Sequence, residues 1–250
     1  MNLNLHDKVA LVTGGASGLG AAIAADLHGE GAKIALLDVD TAKAEAVVDT
    51  IDRSRKRAVA CKADVVDMEQ VQTSVDRILE LFGSIDILVN SAGILMSRPI
   101  EEISVEDFER VIRVNLTGTF IMCKAVVPVM KKQRRGKIVN IASLGGRTGR
   151  PGVGVSYAAS KSGVIGLTQT LARELGKYGI YANSVAPGPI MTEMTLKAPQ
   201  ELFAVWRASR AVDRDGIPKD VADAVLFLAS DMSDWVTGAT LDVNGGIYIG

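Results

Sequence analysis

Val9-Ala-Leu-Val, four apolar residues, run straight into Thr13-Gly-Gly-Ala-Ser-Gly-Leu-Gly20, and the helical pattern Ala21-Ala-Ile-Ala-Ala-Asp-Leu27 follows at once. A short unbroken apolar run reads as a strand buried on both faces, as in a parallel sheet covered by helices. A glycine turn between such a strand and a helix leaves the first helical amides free. Those amides and the positive end of the helix dipole bind an anion, and glycine lets the backbone come close to it. The spacing here is Thr-Gly-x-x-x-Gly-x-Gly, carried by Gly14, Gly18 and Gly20, and not Gly-x-Gly-x-x-Gly. Alone, such a turn serves helix–strand packing as well as it serves phosphate. The strand–turn–helix setting favours a nucleotide site.

The rest of the chain repeats this unit. Apolar runs at Lys33–Leu37, Ala58–Ala63, Ile85–Val89, Lys137–Ile141, Ile180–Ala186 and from Leu241 read as further strands. Amphipathic stretches at Thr41–Ser54, Asp67–Phe82, Ser104 to about Lys131, about Tyr157 to Tyr178, and Pro218–Ala229 read as helices. Asp67-x-x-Gln70 resembles a capping box. Alternation without a composition break predicts one doubly wound α/β domain over residues 1–250. Between Glu193 and Gly216 the pattern loosens, with Leu202, Phe203, Val205 and Trp206 among charges. That segment reads as a lid over a substrate, against the plainer alternative of a surface helix pair.

Bulk properties narrow the function. The chain has 250 residues, 48% of them hydrophobic, enough for a large core. A net charge of -1 without a basic run argues against nucleic acid as partner. Lys131, Lys132, Arg134 and Arg135 read as a solvated helix end. No apolar run approaches membrane-spanning length, and the N-terminus lacks a signal-peptide core, so no membrane partner is expected. Cys61 and Cys123 sit in apolar surroundings and read as reduced core residues of a cytoplasmic protein. His6 and His28 join no ligand cluster, so no metal site is expected.

Two places carry chemistry beyond the glycine turn. Asp38 ends the second apolar run, about 20 residues past the turn, where a carboxylate accepts from the ribose 2′- and 3′-hydroxyls and repels a 2′-phosphate. Gly15, Ala16 and Val39 offer no counter-charge, so NAD is expected over NADP. The alternative is that Asp38 only caps the helix from Thr41. Further on, Tyr157 and Lys161 stand four apart, one turn on one face of a helix. An ammonium beside a phenol favours the phenolate and suits Tyr157 to general acid/base work on an alcohol or ketone. Ser143 closes the Lys137–Ile141 run and points into the crevice where open sheets bind ligands. Asn115 lies inside a predicted helix, where it faces solvent, bonds locally or holds a buried water.

Together these residues resemble the classical short-chain dehydrogenase/reductase family over nearly the whole chain. The markers stand in family order: Thr13-Gly-x-x-x-Gly-x-Gly20, Asp64, Asn90-Ser-Ala-Gly93, Asn115, Ser143, Tyr157-x-x-x-Lys161 and Pro187-Gly. Ser91 departs from the family's usual asparagine, and the Ser143–Tyr157 loop is one residue longer than in many members. The resemblance implies a single-domain Rossmann-type doubly wound parallel sheet of about seven strands, with helices on both faces. It implies a catalytic set of Asn115, Ser143, Tyr157 and Lys161, with Lys161 lowering the tyrosine's pKa and Asn115 supporting a water. It implies that Gly14, Ser17, Gly18, Leu19 and Gly20 cradle pyrophosphate, that Asp38 binds the adenosine ribose, and that Asp64 and Val65 bracket adenine. Asn90, Ala92 and Gly93 then line the centre of the cofactor, and Pro187, Gly188, Ile190 and Thr192 reach the nicotinamide, with Tyr157 and Lys161 beside it. Leu95, Gly145, Arg147, Val153, Met191 and Trp206 are expected around the substrate. Arg147 and Arg150 read as solvated loop charges, the alternative being recognition of an acidic substrate.

The leading expectation is an NAD-dependent oxidoreductase for a secondary alcohol or its ketone. A 3-oxoacyl thioester reductase is the alternative, with Asp38 against it because such relatives commonly pair NADPH with basic residues. A non-catalytic NAD-binding regulator stands third. Apolar residues on more than one face of the Ser104–Lys131 and Tyr157–Tyr178 helices, and an apolar C-terminus, predict a homotetramer.

Overall fold

The computed structural model describes residues 3–150, 152–196 and 199–250. Seven strands form one sheet: β1 (Val9–Thr13), β2 (Lys33–Asp38), β3 (Ala58–Lys62), β4 (Ile87–Asn90), β5 (Gly136–Ile141), β6 (Ile180–Pro187) and β7 (Thr240–Val243). Their spatial order is β3-β2-β1-β4-β5-β6-β7, and every pairing is parallel. The winding reverses between β1 and β4, so the strand ends there open into a crevice. Ten α-helices are described: α1 (Gly18–Gly29), α2 (Thr41–Ile51), α3 (Met68–Phe82), α4 (Val105–Ile112), α5 (Gly118–Gln133), α6 (Leu144–Thr148), α7 (Val155–Leu175), α8 (Glu193–Leu196), α9 (Gln200–Ser209) and α10 (Pro218–Ala229).

The all-apolar strands follow from burial on both sides. Along β1, Ala10 and Val12 face Ile23 and Leu27 of α1 and Val225 of α10. Leu11 faces the opposite layer, where Val75 and Ile78 of α3 pack with Met122 and Val126 of α5. Both sets are fully buried, which is why period-two alternation is missing from the sequence.

Two local features differ from the sequence expectation. The helix expected from Ser104 to Lys131 runs from Val105 to Gln133 but carries a π-helical turn at Arg113–Thr117. Over its whole length it is long and apolar enough to cross a membrane by length and composition, contrary to the reading that no run approaches that length. Its apolar side packs on the sheet, with Val111, Met122, Val126 and Met130 fully buried. The second feature is α6, a short helix where a loop was expected, with Ser143 as its N-cap.

Candidate active site

At the carboxyl ends of the strands lies a cavity of about 390 Å³. Gly14, Ser17, Gly18, Leu19 and Gly20 line one wall, with Asp38, Asp64, Val65, Ala92, Gly93, Tyr157, Lys161 and Thr192 around it. The glycines divide by job. A Cβ on Gly14 would lie 2.8 Å from Ala92 Cα, and one on Gly20 would run into the Gly14 carbonyl oxygen, so those two are required by packing. A Cβ on Gly18 would meet nothing nearer than Thr192 at 3.9 Å; the site there is open. Gly18 also begins α1, whose N-cap Ser17 uses no side-chain cap bond. Free amides at the start of a 12-residue helix, facing open space, fit a dinucleotide's pyrophosphate.

The neighbouring turns are pinned by side chains. Thr13 Oγ1 accepts from the amides of Ser91 (3.0 Å) and Ala92 (3.1 Å), tying the ends of β1 and β4 across the point of reversal. The Asp38 carboxylate accepts from Ala16 N at 3.0 Å and Asp40 N at 2.9 Å, so it is held at the mouth of the cavity. Asp38 does not cap α2; Asp40 does, through Lys43 N. Lys161 is the one cation among the described residues lining the cavity. It is anchored at β5, three strands from Asp38, or about 14 Å. The expected capping box is altered. Asp67 accepts from Gln70 N, but Gln70 Oε1 accepts from Asp64 N at 3.1 Å and so fixes the turn after β3.

Four residues expected at the cofactor do not line this cavity. Asn90 points into the sheet, donating to Asn140 Oδ1 at 2.8 Å, because its register partner on β5 is Asn140. Asn140 in turn donates to Thr168 on α7 at 2.8 Å. Pro187 ends β6, Gly188 N donates to Val243 O, and buried Ile190 bridges to Gly216. These three carry the chain past the cavity, and Thr192 is the residue that reaches it.

The catalytic candidates converge at the end of β5. Ser143 Oγ accepts from Gly145 N at 3.0 Å, which leaves its hydroxyl proton free to donate. Lys161 is buried and donates to the Ile141 carbonyl at 2.6 Å, with Nζ 5.7 Å from the centre of the Tyr157 ring. Burial pushes the Lys161 ammonium down to about 8. Here the sequence expectation is corrected. Burial holds the Tyr157 phenol above its usual range, and the opposing influences are the Ser143 hydrogen bond and the charge of Arg150. The Lys161 ammonium gives one of its three N–H donors to the Ile141 carbonyl.

Asn115 sits in the π turn and is fully buried, not facing solvent. Its Oδ1 accepts from Ile94 N at 2.8 Å, and its Nδ2 donates to Ile94 O at 2.9 Å and to Ser160 Oγ at 3.0 Å. Both amide hydrogens are committed, so only oxygen lone pairs remain to hold a water. The Asn115 carbonyl already accepts from Thr119. A Cβ on Gly93 would lie 3.2 Å from Asn115 Oδ1 and 3.6 Å from Lys161 Nζ, so Gly93 fills the gap between them.

The residues expected around the substrate scatter. Gly145 and Val153 are buried together beside Ser143, while Leu95 is exposed. Arg147 is not solvated: it pairs with Asp242 at 3.1 Å and lies over the Tyr248 ring. Met191 and Trp206 line a second cavity of about 450 Å³ with Phe203, Arg210 and Asp242. The expected lid over residues 193–216 thus lies between the two cavities; its positions 197 and 198 fall outside the described residues. Sequence reasoning passed over Thr13, Ile94, Ile141 and Ser160. Ile94 and Ile141 act through main-chain groups, which no residue pattern reveals. Thr13, a polar side chain closing an apolar strand, was the available signal.

The family model described as Enoyl-(Acyl carrier protein) reductase matches residues 14–248. The 3-oxoacyl-[acyl-carrier-protein] reductase FabG of Thermotoga maritima is 40% identical over 247 residues, covering 99% of this chain and 100% of that protein. The corresponding protein of Aquifex aeolicus is 38% identical over 249 residues, covering 99% and 100%. Among solved structures, a candidate gluconate dehydrogenase from Agrobacterium tumefaciens superposes with TM-score 0.94 at 33% identity, covering 99% of this chain and 98% of that one. With a sheet wound in this order, a glycine turn at its point of reversal and these matches along its length, the chain belongs to the short-chain dehydrogenase/reductase family of oxidoreductases.

Proposed function

We propose that this chain reduces the ketone of a 3-oxoacyl group to the 3-hydroxyacyl alcohol, with NADH as reductant. The observation that carries it is the convergence of Ser143, Tyr157 and Lys161 at the end of β5, beside the glycine-turn cavity. There the Tyr157 phenol can give a proton to a ketone oxygen that the Ser143 hydroxyl orients. The sequence reading put an unspecified secondary alcohol or ketone first and the 3-oxoacyl thioester second. Relatives 40% identical over nearly the full length and bearing the name 3-oxoacyl-[acyl-carrier-protein] reductase favour the second.

In this reading Ser143 donates to the ketone oxygen and orients it. Tyr157 transfers its phenolic proton to that oxygen, and the phenolate left behind is reprotonated from solvent. The bound nicotinamide supplies the hydride to the carbonyl carbon. Lys161 holds the nicotinamide ribose, and Asn115 fixes Ile94 and Ser160 around it. Gly14, Ser17, Gly18, Leu19 and Gly20 hold the pyrophosphate. Asp64, Val65, Ala92, Gly93 and Thr192 line the remaining length of the cofactor, while Asn90 supports the site from within the sheet.

NAD is preferred because of Asp38. A 2′-phosphate placed about 4 Å from that carboxylate costs on the order of 4 kcal/mol at an effective dielectric of about 20. With no cation beside it in the cavity lining, NADPH should be at least ~10²-fold poorer. Oxidation of NADH and of NADPH, each followed with a 3-oxoacyl thioester and with simple ketones, tests both parts. Equal kcat/KM for the two cofactors removes the role given to Asp38. Turnover of simple ketones without the thioester returns the function to the first reading.

The assembly proposed with this function is a homotetramer in a reducing, cytoplasmic compartment. Phe120 on α5 is half exposed, Trp235 is 99% exposed and Ile249 is 86% exposed, which leaves apolar surface for subunits to cover. Cys61 and Cys123 are both free and buried. A monomeric mass by light scattering at micromolar concentration refutes the assembly.

A further inference from the structure

Arg150 stands apart from the other arginines near the lid. Arg147 is paired with Asp242, Arg207 and Arg210 with Asp215, and Arg214 with Asp220. Among the described residues Arg150 has no carboxylate partner, and its Nε and Nη1 are buried without a hydrogen-bond acceptor. It lies in the connection between Ser143 and Tyr157, with its guanidinium carbon 5.1 Å from the centre of the Trp206 ring on α9. The indole Nε1 of Trp206 is likewise buried with no acceptor. The connection that carries Arg150 leads directly into α7 and Tyr157, and its positive charge opposes the upward shift of the phenol.

Guanidinium nitrogens buried without an acceptor are costly, because burial removes their water and an aromatic face replaces only part of it. Donors in contact and without acceptors among the described residues, one on the connection into Tyr157 and one on α9, are the complement of an anion. A neutral ketone leaves them as they are. A substrate whose carboxylate lies near its ketone supplies the missing acceptors. The planar fork of arginine takes a carboxylate by two parallel bonds, and Trp206 braces the fork from its flat side.

We infer that the chain also accepts free oxo acids, with Arg150 as the residue that receives the substrate carboxylate and Trp206 as its support. This rests on the reading of Tyr157 as proton donor to a ketone, and it extends that reading from acyl thioesters to acidic substrates. The tyrosine delivers the proton as before; Arg150 sets which ketones are held beneath it.

The test uses 2-, 3- and 4-oxo acids, each beside its methyl ester, which keeps the ketone and removes the charge. For the best acid, kcat/KM should exceed that of its ester by at least ~10-fold, as expected for one charge-assisted bond. In Arg150→Met the acid-to-ester ratio should fall to about 1, and in Arg150→Lys it should lie between. A second readout needs no turnover. In a Trp235→Phe background only Trp206 emits, and the acid but not the ester should change its emission saturably. An acid-to-ester ratio near one in the native protein, or an unchanged ratio in Arg150→Met, overturns the inference. If the thioester is reduced with NADH while no acid is bound or reduced, the inference fails and the proposed function stands. If the acid binds at Trp206 in an Arg150-dependent way but no ketone is ever reduced, the receptor stands and the reductase reading falls.

Discussion

The two ends of the crevice are built on different principles. At the glycine-turn end, recognition is made of backbone. Gly14 and Gly20 are fixed by what a Cβ would strike, Gly18 by the space it leaves open, and the polar side chains there are satisfied by nearby amides. At the lid end, recognition is made of side chains. Among the described residues Arg150 and Trp206 carry buried nitrogens without acceptors, and the chain crosses between two cavities. A site made of backbone is complete before its ligand arrives. A site made of unpaired side chains is completed by the ligand, and so it can differ between proteins that share the first half.

The largest effect should come where the halves meet. Tyr157→Phe removes the proton donor while sparing the cofactor cradle, so turnover should fall by about 10²–10⁴-fold with NADH affinity nearly unchanged. Single-turnover kinetics and NADH fluorescence titration measure the two separately. Near-normal turnover would mean that another group carries the proton.

Next come the glycines, which set one end directly against the other. Gly20→Ala forces a methyl onto the Gly14 carbonyl and should cost about 1–3 kcal/mol, with loss of cofactor binding. Gly149, at the end of α6, also has positive φ (61°), but a Cβ there meets nothing within 4 Å. Gly149→Ala should therefore cost only about 1 kcal/mol and leave NADH affinity intact. Urea denaturation of both variants measures the gap, and equal losses would erase the distinction between the two ends.

The last test is a pH dependence at Lys161. Folded, it gives up its proton near pH 8; unfolded, near 10.5. Between those values the unfolded chain binds more protons, so the residue's contribution to stability rises with pH there. Stability of the native protein relative to Lys161→Met should climb across that window by up to ~1.4 kcal/mol per pH unit. A flat difference would place the ammonium in water-like surroundings.

The same contrast governs what could be read from sequence. The run Val9–Thr13 and the helix Pro218–Ala229 end where the residue pattern ends, because two-sided burial and a proline at the helix start leave direct marks. The glycine turn was legible for the same reason: sterics decides which residue stands there. At the other end the deciding facts are tertiary. Helical spacing put Lys161 beside Tyr157, but whether its ammonium faced the phenol or the Ile141 carbonyl depended on where β5 ended. Arg147 and Arg150 look alike in sequence, yet one found the Asp242 carboxylate, far along the chain, and the other the ring of Trp206. The short helix α6 escaped notice because Leu-Gly-Gly-Arg-Thr is too brief and too glycine-rich to show a period. Asn90 matched a family marker, and only its alignment with Asn140 turned it from the crevice into the sheet.

The π turn at Arg113–Thr117 carries a consequence for how this protein tolerates change. A π turn is one residue more than the helix needs, and each helical residue advances the azimuth by about 100°. Excising a single residue there would give a smoother helix and would swing every side chain before it around the axis relative to those after it. Asn115 would then no longer meet Ile94 and Ser160. The irregularity works as a spacer that sets the phase between two helical halves. A shortened chain could gain regularity and still lose its chemistry, so length at this point is as specific as identity.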